Sequence, residues 1–205
     1  YTSSATLTTV NGTYTVTVKT TDGTNTKTRT YTFNVDKTEP TITFGTNGGT
    51  YTIPVGSTTI QISSKITGED EGGSGISSVQ YAWSTSNTTT PTQWTTIENG
   101  GSATLSAQGG KQYLWAKTED KAGNEKVSTT AAFEIGYAIE YDVKGGTGTI
   151  ANQRKVHGTN ITLNSGSSLS KKGYTFKGWD TSETATKVVY AGGASYTTNQ
   201  SVKLY

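Results

Sequence analysis

From Thr41 onwards the chain alternates apolar and polar residues in short runs, and Gly, Asn, Asp or Ser interrupts each run. Thr41 to Phe44, Tyr51 to Pro54, Thr59 to Ser63, Val79 to Ser84, Gln93 to Ile97, Ala103 to Ser106 and Gln112 to Lys117 all carry a period of two. That period puts successive side chains on opposite faces of a pleated strand, and the punctuation supplies the turns. A further run ends at Ile135. Val79, Tyr81 and Trp83 share one strand face, so Tyr81 and Trp83 are expected in the core.

A self-comparison finds one repeat. Val18-Lys19-Thr20-Thr21-Asp22-Gly23-Thr24-Asn25 matches Ala116-Lys117-Thr118-Glu119-Asp120-Lys121-Ala122-Gly123-Asn124 with one inserted residue, and each copy leads into an alternating run, Tyr31 to Val35 and Ala131 to Ile135. A separation of about 100 residues, filled by seven or eight short strands, is that of an immunoglobulin-type sandwich. Residues 36–136 therefore predict one complete sandwich. Residues 1–35 hold about three strands, too few for a two-sheet core, and read as the C-terminal half of a preceding copy. Between them, Asp36-Lys37-Thr38-Glu39-Pro40 reads as a linker, since Pro cannot join a central ladder. This linker, Ser74-Gly75-Ile76-Ser77-Ser78-Val79-Gln80-Tyr81, and Lys117 to Asn124 together resemble the bacterial Ig-like domains arrayed on large surface proteins.

Beyond Gly136 the pattern changes. Tyr141-Asp142-Val143-Lys144-Gly145-Gly146, His157-Gly158-Thr159, Gly173-Tyr174-Thr175-Phe176-Lys177-Gly178-Trp179, Tyr190-Ala191-Gly192-Gly193 and Val202-Lys203-Leu204-Tyr205 follow in order. Tyr174 and Phe176 share a strand parity, and Gly178 offers a bulge that turns Trp179 into the same core. Residues 137–205 resemble the Listeria-Bacteroides repeat, the B-repeat module of internalin-type surface proteins. The resemblance implies a small β-grasp-like module with no catalytic residues. One short helical turn is expected, within Ser165 to Lys171 or Ser182 to Lys187. The fold class predicted for the whole chain is all-β: Ig-like sandwiches followed by a small β-grasp-like, β-rich module.

Composition narrows the chemistry. The chain has no Cys, no Met and a single His, His157, which excludes Cys zinc sites, iron–sulfur clusters, thiol nucleophiles and multi-histidine centres. Lys and Arg number 17 against 15 Asp and Glu, with no basic block for a phosphate backbone, so nucleic acid is not an expected partner. No run approaches the length of a membrane-spanning helix. A Cys-free surface rich in Thr, Ser, Gly and Asn suits the exterior of a bacterium, with any signal or anchor outside this segment and the protein a monomer among neighbouring domains.

Two constellations remain. Glu69, Asp70 and Glu71 form the densest acidic run, in a Gly-rich loop expected over Thr67 to Gly75, and Asp120 with Glu119 lies in another loop that the fold can bring near; clustered carboxylates are ligands for calcium. A separate site at the linker, on Asp36 and Glu39, is the other option. Adjacent acids on a solvated loop lack the rigid spacing of a glycosidase pair, and no nucleophile elbow or phosphate loop is present, so catalysis is not expected and no cofactor is required. The second constellation is aromatic. The repeat turns Leu114 and Ala116 inward and Tyr113 and Trp115 outward, where with Trp94 they would form a platform for sugar rings. The expected function is a non-enzymatic stalk or spacer of a bacterial surface protein, with adhesion to host or cell-wall glycan or protein; the alternative is a carbohydrate-binding accessory module of a secreted glycan-active enzyme.

Overall fold

The computed structural model describes residues 10–205, and every regular element among them is a strand. The expected helical turn is absent from the described residues. Residues 165–171 are loop and turn ending in two isolated β-bridges and residues 182–187 are turn and bend, and in both Ser hydroxyls capture backbone amides two residues on, Ser165 from Ser167 and Ser182 from Thr184.

The first elements are β1 (Gly12–Thr21) and β2 (Thr26–Val35), an antiparallel hairpin that shares no ladder with any other sheet. The third strand expected before Val35 falls on residues 1–9, outside the described residues. After the linker come β3 (Thr41–Phe44), β4 (Gly49–Ile53), β5 (Ile60–Glu69), β6 (Ile76–Ser84), β7 (Thr95–Ile97), β8 (Ser102–Ala107), β9 (Gly110–Asp120), β10 (Glu125–Thr129) and β11 (Phe133–Tyr141). Strands β3, β5 and β8 form one antiparallel sheet. In the other, β7, β6, β9 and β11 lie side by side, with β10 also on β9 and β4 parallel to β11. The period of two seen in the sequence is what lets the sheets face each other: Ile62, Ser64 and Ile66 of β5 are buried while Gln61, Ser63 and Lys65 are exposed. Ile62, Ile66, Ala103 and Ala107 meet Ile53, Val79, Leu114, Ala116, Phe133 and Ile135 in one core. Each large apolar side chain removed from water there contributes about 1.5–3 kcal/mol. Tyr81 and Trp83 are half-buried against this core, Trp83 edge-on to Phe133 with ring centroids 5.2 Å apart.

A second core forms around Ile139, Leu163, Trp179, Tyr196 and Leu204. Its strands are short: β12 (Gln153–Lys155), β13 (Ile161–Thr162), β14 (Ser195–Tyr196) and β15 (Val202–Leu204). Trp179 is the anchor, 1% exposed, with its indole N–H donating to the Asn164 carbonyl at 2.7 Å. Phe176 packs edge-on against it at 4.8 Å but keeps one side in solvent. Tyr174 corrects the sequence reading, being 73% exposed rather than in the core. No strand spans 174–176. Tyr174 instead closes a tight turn, its N–H bonded to the Lys171 carbonyl, and the turn carries its ring outward under the Lys171 ammonium.

The two cores share a strand. Over Phe133 to Ile135, β11 lies between β9 and β4; at Ile139 it lies between β12 and β15. Gly136, read from composition as a boundary, sits in mid-strand. A Cβ there would lie 2.5 Å from the Lys155 carbonyl oxygen, so only glycine lets β12 approach this closely. Side chains reinforce the joint. Arg154 donates to the carbonyls of Tyr51 and Glu134, the latter at 2.8 Å, and the buried Ser201 hydroxyl donates to the Ile53 carbonyl at 2.5 Å while accepting the Ala138 N–H.

Candidate metal centre

The acidic residues singled out in the sequence divide sharply. Asp70 and Asp120 come together, and the third member is Asp36 from the linker; one carboxylate oxygen of each lies within 4.8 Å of the others. Glu69 does not join them, because β5 extends through it and pairs it with Thr41 at the sheet edge, its side chain exposed. Glu71 is exposed in the loop that follows. Glu39 is also elsewhere, in an ion pair with Lys126 at 2.9 Å. The linker option and the loop option read from the sequence thus contribute to one cluster of candidate ligands, in which Asp36 stands where the glutamates were expected.

Local hydrogen bonds fix each carboxylate. Asp120 ends β9 and folds back on the turn after it: one oxygen accepts from the amides of Ala122 and Asn124, the other from the Asn124 side chain at 2.7 Å. That side chain also donates to the Asp36 carbonyl, which ties the linker to the turn. Asp36 accepts from the amides of Thr38 and, at 2.7 Å, Ser74. Asp70 accepts from the Gly75 amide at 2.7 Å with one oxygen. Its other oxygen, Oδ1, is buried and has no protein partner among the described residues. Gly73 passes so close that a Cβ would lie 2.2 Å from that oxygen.

The electrostatics favour a cation. No Lys or Arg of the described residues is ion-paired with any of the three, and Asp120 is 1% exposed. Burial pushes the Asp120 carboxyl up, but the Asn124 side chain and the backbone amides of the turn outweigh it and hold the group below the ordinary 3.8. The Thr38 and Ser74 amides hold Asp36 below it too. Both are charged at neutral pH and lie beside Asp70, one of whose oxygens is buried without a partner among the described residues, an arrangement that a counter-charge would relieve. The carboxylate oxygens lie within 4.8 Å of one another, close enough for one hard cation of the calcium kind to bridge them. The donor set therefore fits a hard divalent cation. A polar cleft of about 530 Å³, lined by hairpin, linker and loop residues including Asn11, Asn34 and Ser74, opens beside Asp36.

The aromatic residues are largely covered. Trp115 points away from the first core, as the strand parity predicts, yet it is only 7% exposed, because the loop after β6 folds over it and takes its indole N–H on the Ser86 carbonyl at 2.9 Å. Tyr113 and Trp94 are half-buried. The proposed platform thus has no open central ring. His157 bonds the Tyr137 hydroxyl at 2.7 Å, a packing contact at the joint.

No helix of the described residues is long and apolar enough to cross a membrane. No curated protein matches the chain. Its C-terminal third is recognised: residues 137–205, which hold the second core and the latter part of β11, match the family model of the Listeria-Bacteroides repeat domain, a repeat of bacterial surface proteins.

Proposed function

We propose that this chain is a non-enzymatic spacer within a bacterial surface protein, built of a partial Ig-like unit over 1–35, a complete one over 36–136 and the repeat module over 137–205, and that a calcium ion at Asp36, Asp70 and Asp120 locks the first joint. The observation that carries the spacer reading is β11. A single strand threads both cores, so the units meet through a ladder and its buried hydrogen bonds and not through a flexible linker. A segment that holds its ends at a fixed relation suits the presentation of something else away from the cell. The calcium reading rests on the carboxylate cluster, which joins the linker to the loops it meets. Adhesion, if this segment contributes to it, falls to surfaces other than the buried Trp115.

The absence of cysteine makes the test clean. Cysteines placed at the exposed positions Thr17 and Gln61 report the first joint, and those at Gln61 and Lys187 the second, through spin-label distance distributions. The first pair should be narrow with calcium and broad with a chelator, and Asp120→Asn should make it broad in both. The second should be narrow throughout. A first-pair distribution indifferent to calcium would remove the cation lock, and a broad second pair would remove the spacer.

A further inference from the structure

The hairpin of β1 and β2 is amphipathic, and among the described residues nothing packs against its apolar face. Its register puts Tyr14 opposite Phe33 and Val16 opposite Tyr31 on one face, with Val18 beside them. Thr13, Thr15, Thr17, Thr30 and Thr32 occupy the other. Val16, Val18, Tyr31 and Phe33 are between 37% and 49% exposed. An isolated two-stranded ribbon is marginal in water, and side chains of this kind on one face mark an uncovered core.

The internal repeat identifies what covers such a face. Gly12 pairs with Val35 as Gly110 pairs with Ile135; Tyr14 pairs with Phe33 as Gln112 does with Phe133; Val18 pairs with Arg29 as Ala116 does with Ser128. The hairpin is a copy of β9 and its β10–β11 neighbour, the registers differing only by the one residue that the break between β10 and β11 adds. Even the tip is copied: Asp22 accepts the amides of Thr24 and Asn25 and the Asn25 side chain, as Asp120 accepts those of Ala122, Asn124 and the Asn124 side chain. In the covered copy, Leu114, Ala116 and Phe133 are 0% exposed and Ile135 is 2%. What buries them is the facing sheet, through Ile62, Ile66, Ala103 and Ala107.

We infer that the apolar face of the hairpin is the docking surface for a three-stranded antiparallel sheet of the β3–β5–β8 kind, supplied by the same polypeptide ahead of the hairpin. In the covered copy that sheet, with its connections, takes the chain from Thr41 to Ala107, far more than residues 1–9 can supply. This inference rests on the modular reading above, but not on calcium or on the rigidity of the second joint.

The test compares the 205-residue protein with the same protein extended N-terminally into its parent polypeptide by one further unit, each as wild type, Phe33→Asp and Thr32→Asp. Amide exchange of residues 12–35 should slow by on the order of a hundredfold in the extended protein. Phe33→Asp should abolish that protection and Thr32→Asp, on the other face, should leave it intact. In the 205-residue protein neither substitution should shift the unfolding of the remaining cores. Unchanged exchange in the extended protein would overturn the inference. So would a concentration-dependent dimer of the 205-residue protein that Phe33→Asp dissolves, since the occupant would then be a second copy. Because the readout is confined to residues 12–35, it fails or succeeds independently of the distance measurements at the two joints.

Discussion

Gly136→Ala is the perturbation that the joint answers most clearly. The expectation from chain entropy alone is stabilisation, since replacing Gly by Ala at a position with permissive backbone angles usually adds about 0.4–1 kcal/mol. Gly136 is not among the glycines with a left-handed φ, so alanine meets no backbone penalty. The obstacle is steric. The new Cβ would lie 2.5 Å from the Lys155 carbonyl oxygen and 2.8 Å from the Arg154 Cζ, both on β12. Backbone in a ladder cannot swing aside as a side chain would, so β12 must retreat, and Arg154 is drawn off the Tyr51 and Glu134 carbonyls that it bonds across the joint. Overpacking of this kind costs about 1–3 kcal/mol. For a chain of this size each kcal/mol moves the midpoint of thermal unfolding by about 2–4 °C, a fall of roughly 2–12 °C. Urea titration gives the free energy, and with Trp179→Phe as background the fluorescence reports the first core alone. The substitution should also separate the unfolding of the two cores, which the shared strand β11 is expected to couple in the wild type. Stability equal to or above wild type, with one shared transition, would refute the close-approach argument.

Three further outcomes follow. Asp36, Asp120 and Asp142 titrate below the ordinary 3.8 in the folded protein, so between the folded and unfolded values the unfolded state binds more protons and stability rises with pH. Chelated protein should therefore lose stability as pH falls below about 4, with a flatter loss for Asp142→Asn; a urea midpoint constant down to about pH 2 would contradict this. Trp115→Ala should behave as a core truncation and cost about 3–5 kcal/mol in urea titration, and a cost under about 1 kcal/mol would show the ring to be uncovered. Lys155 is fully buried with its ammonium on the Asn199 side chain at 2.6 Å and no carboxylate partner among the described residues, and burial pushes its amine below the ordinary 10.5. Lys155→Met should therefore change stability by less than about 1 kcal/mol, whereas Asn199→Leu, which leaves the amine only the long bond to the Val156 carbonyl at 3.4 Å, should cost about 2 kcal/mol or more. The reverse order in urea titration would contradict it.

Short-range pattern carried most of the sandwich into view. Alternation placed β3, β6, β8 and β9, and the repeat turned Leu114 and Ala116 inward, where both are fully buried. Strand β10, Glu-Lys-Val-Ser-Thr, escaped notice because a polar edge strand offers no alternation to detect. Strand β5 looked shorter than it is because Ser, Lys, Thr and Gly continue it to Glu69, and that extension separates Glu69 from Asp70. Parity showed which way Trp115 points but not the loop that covers it, since no local signal records a lid made 29 residues earlier. The carboxylate cluster was half legible. Asp70 and Asp120 were placed together, but Asp36 joins only because the linker runs between the two loops, a long-range fact that sequence spacing does not contain. Composition marked a change at Gly136 but did not record that β11 runs through it, where the glycine lets two strands touch.

The central claim is that residues 37–205 move as one body through β11. Residual dipolar couplings of backbone amides in a weakly aligned sample, fitted separately for residues 37–135 and 137–205, measure this directly. The account predicts one common alignment tensor in magnitude and orientation. Two tensors of different magnitude would mean the cores reorient independently, and the spacer reading would fall with the joint.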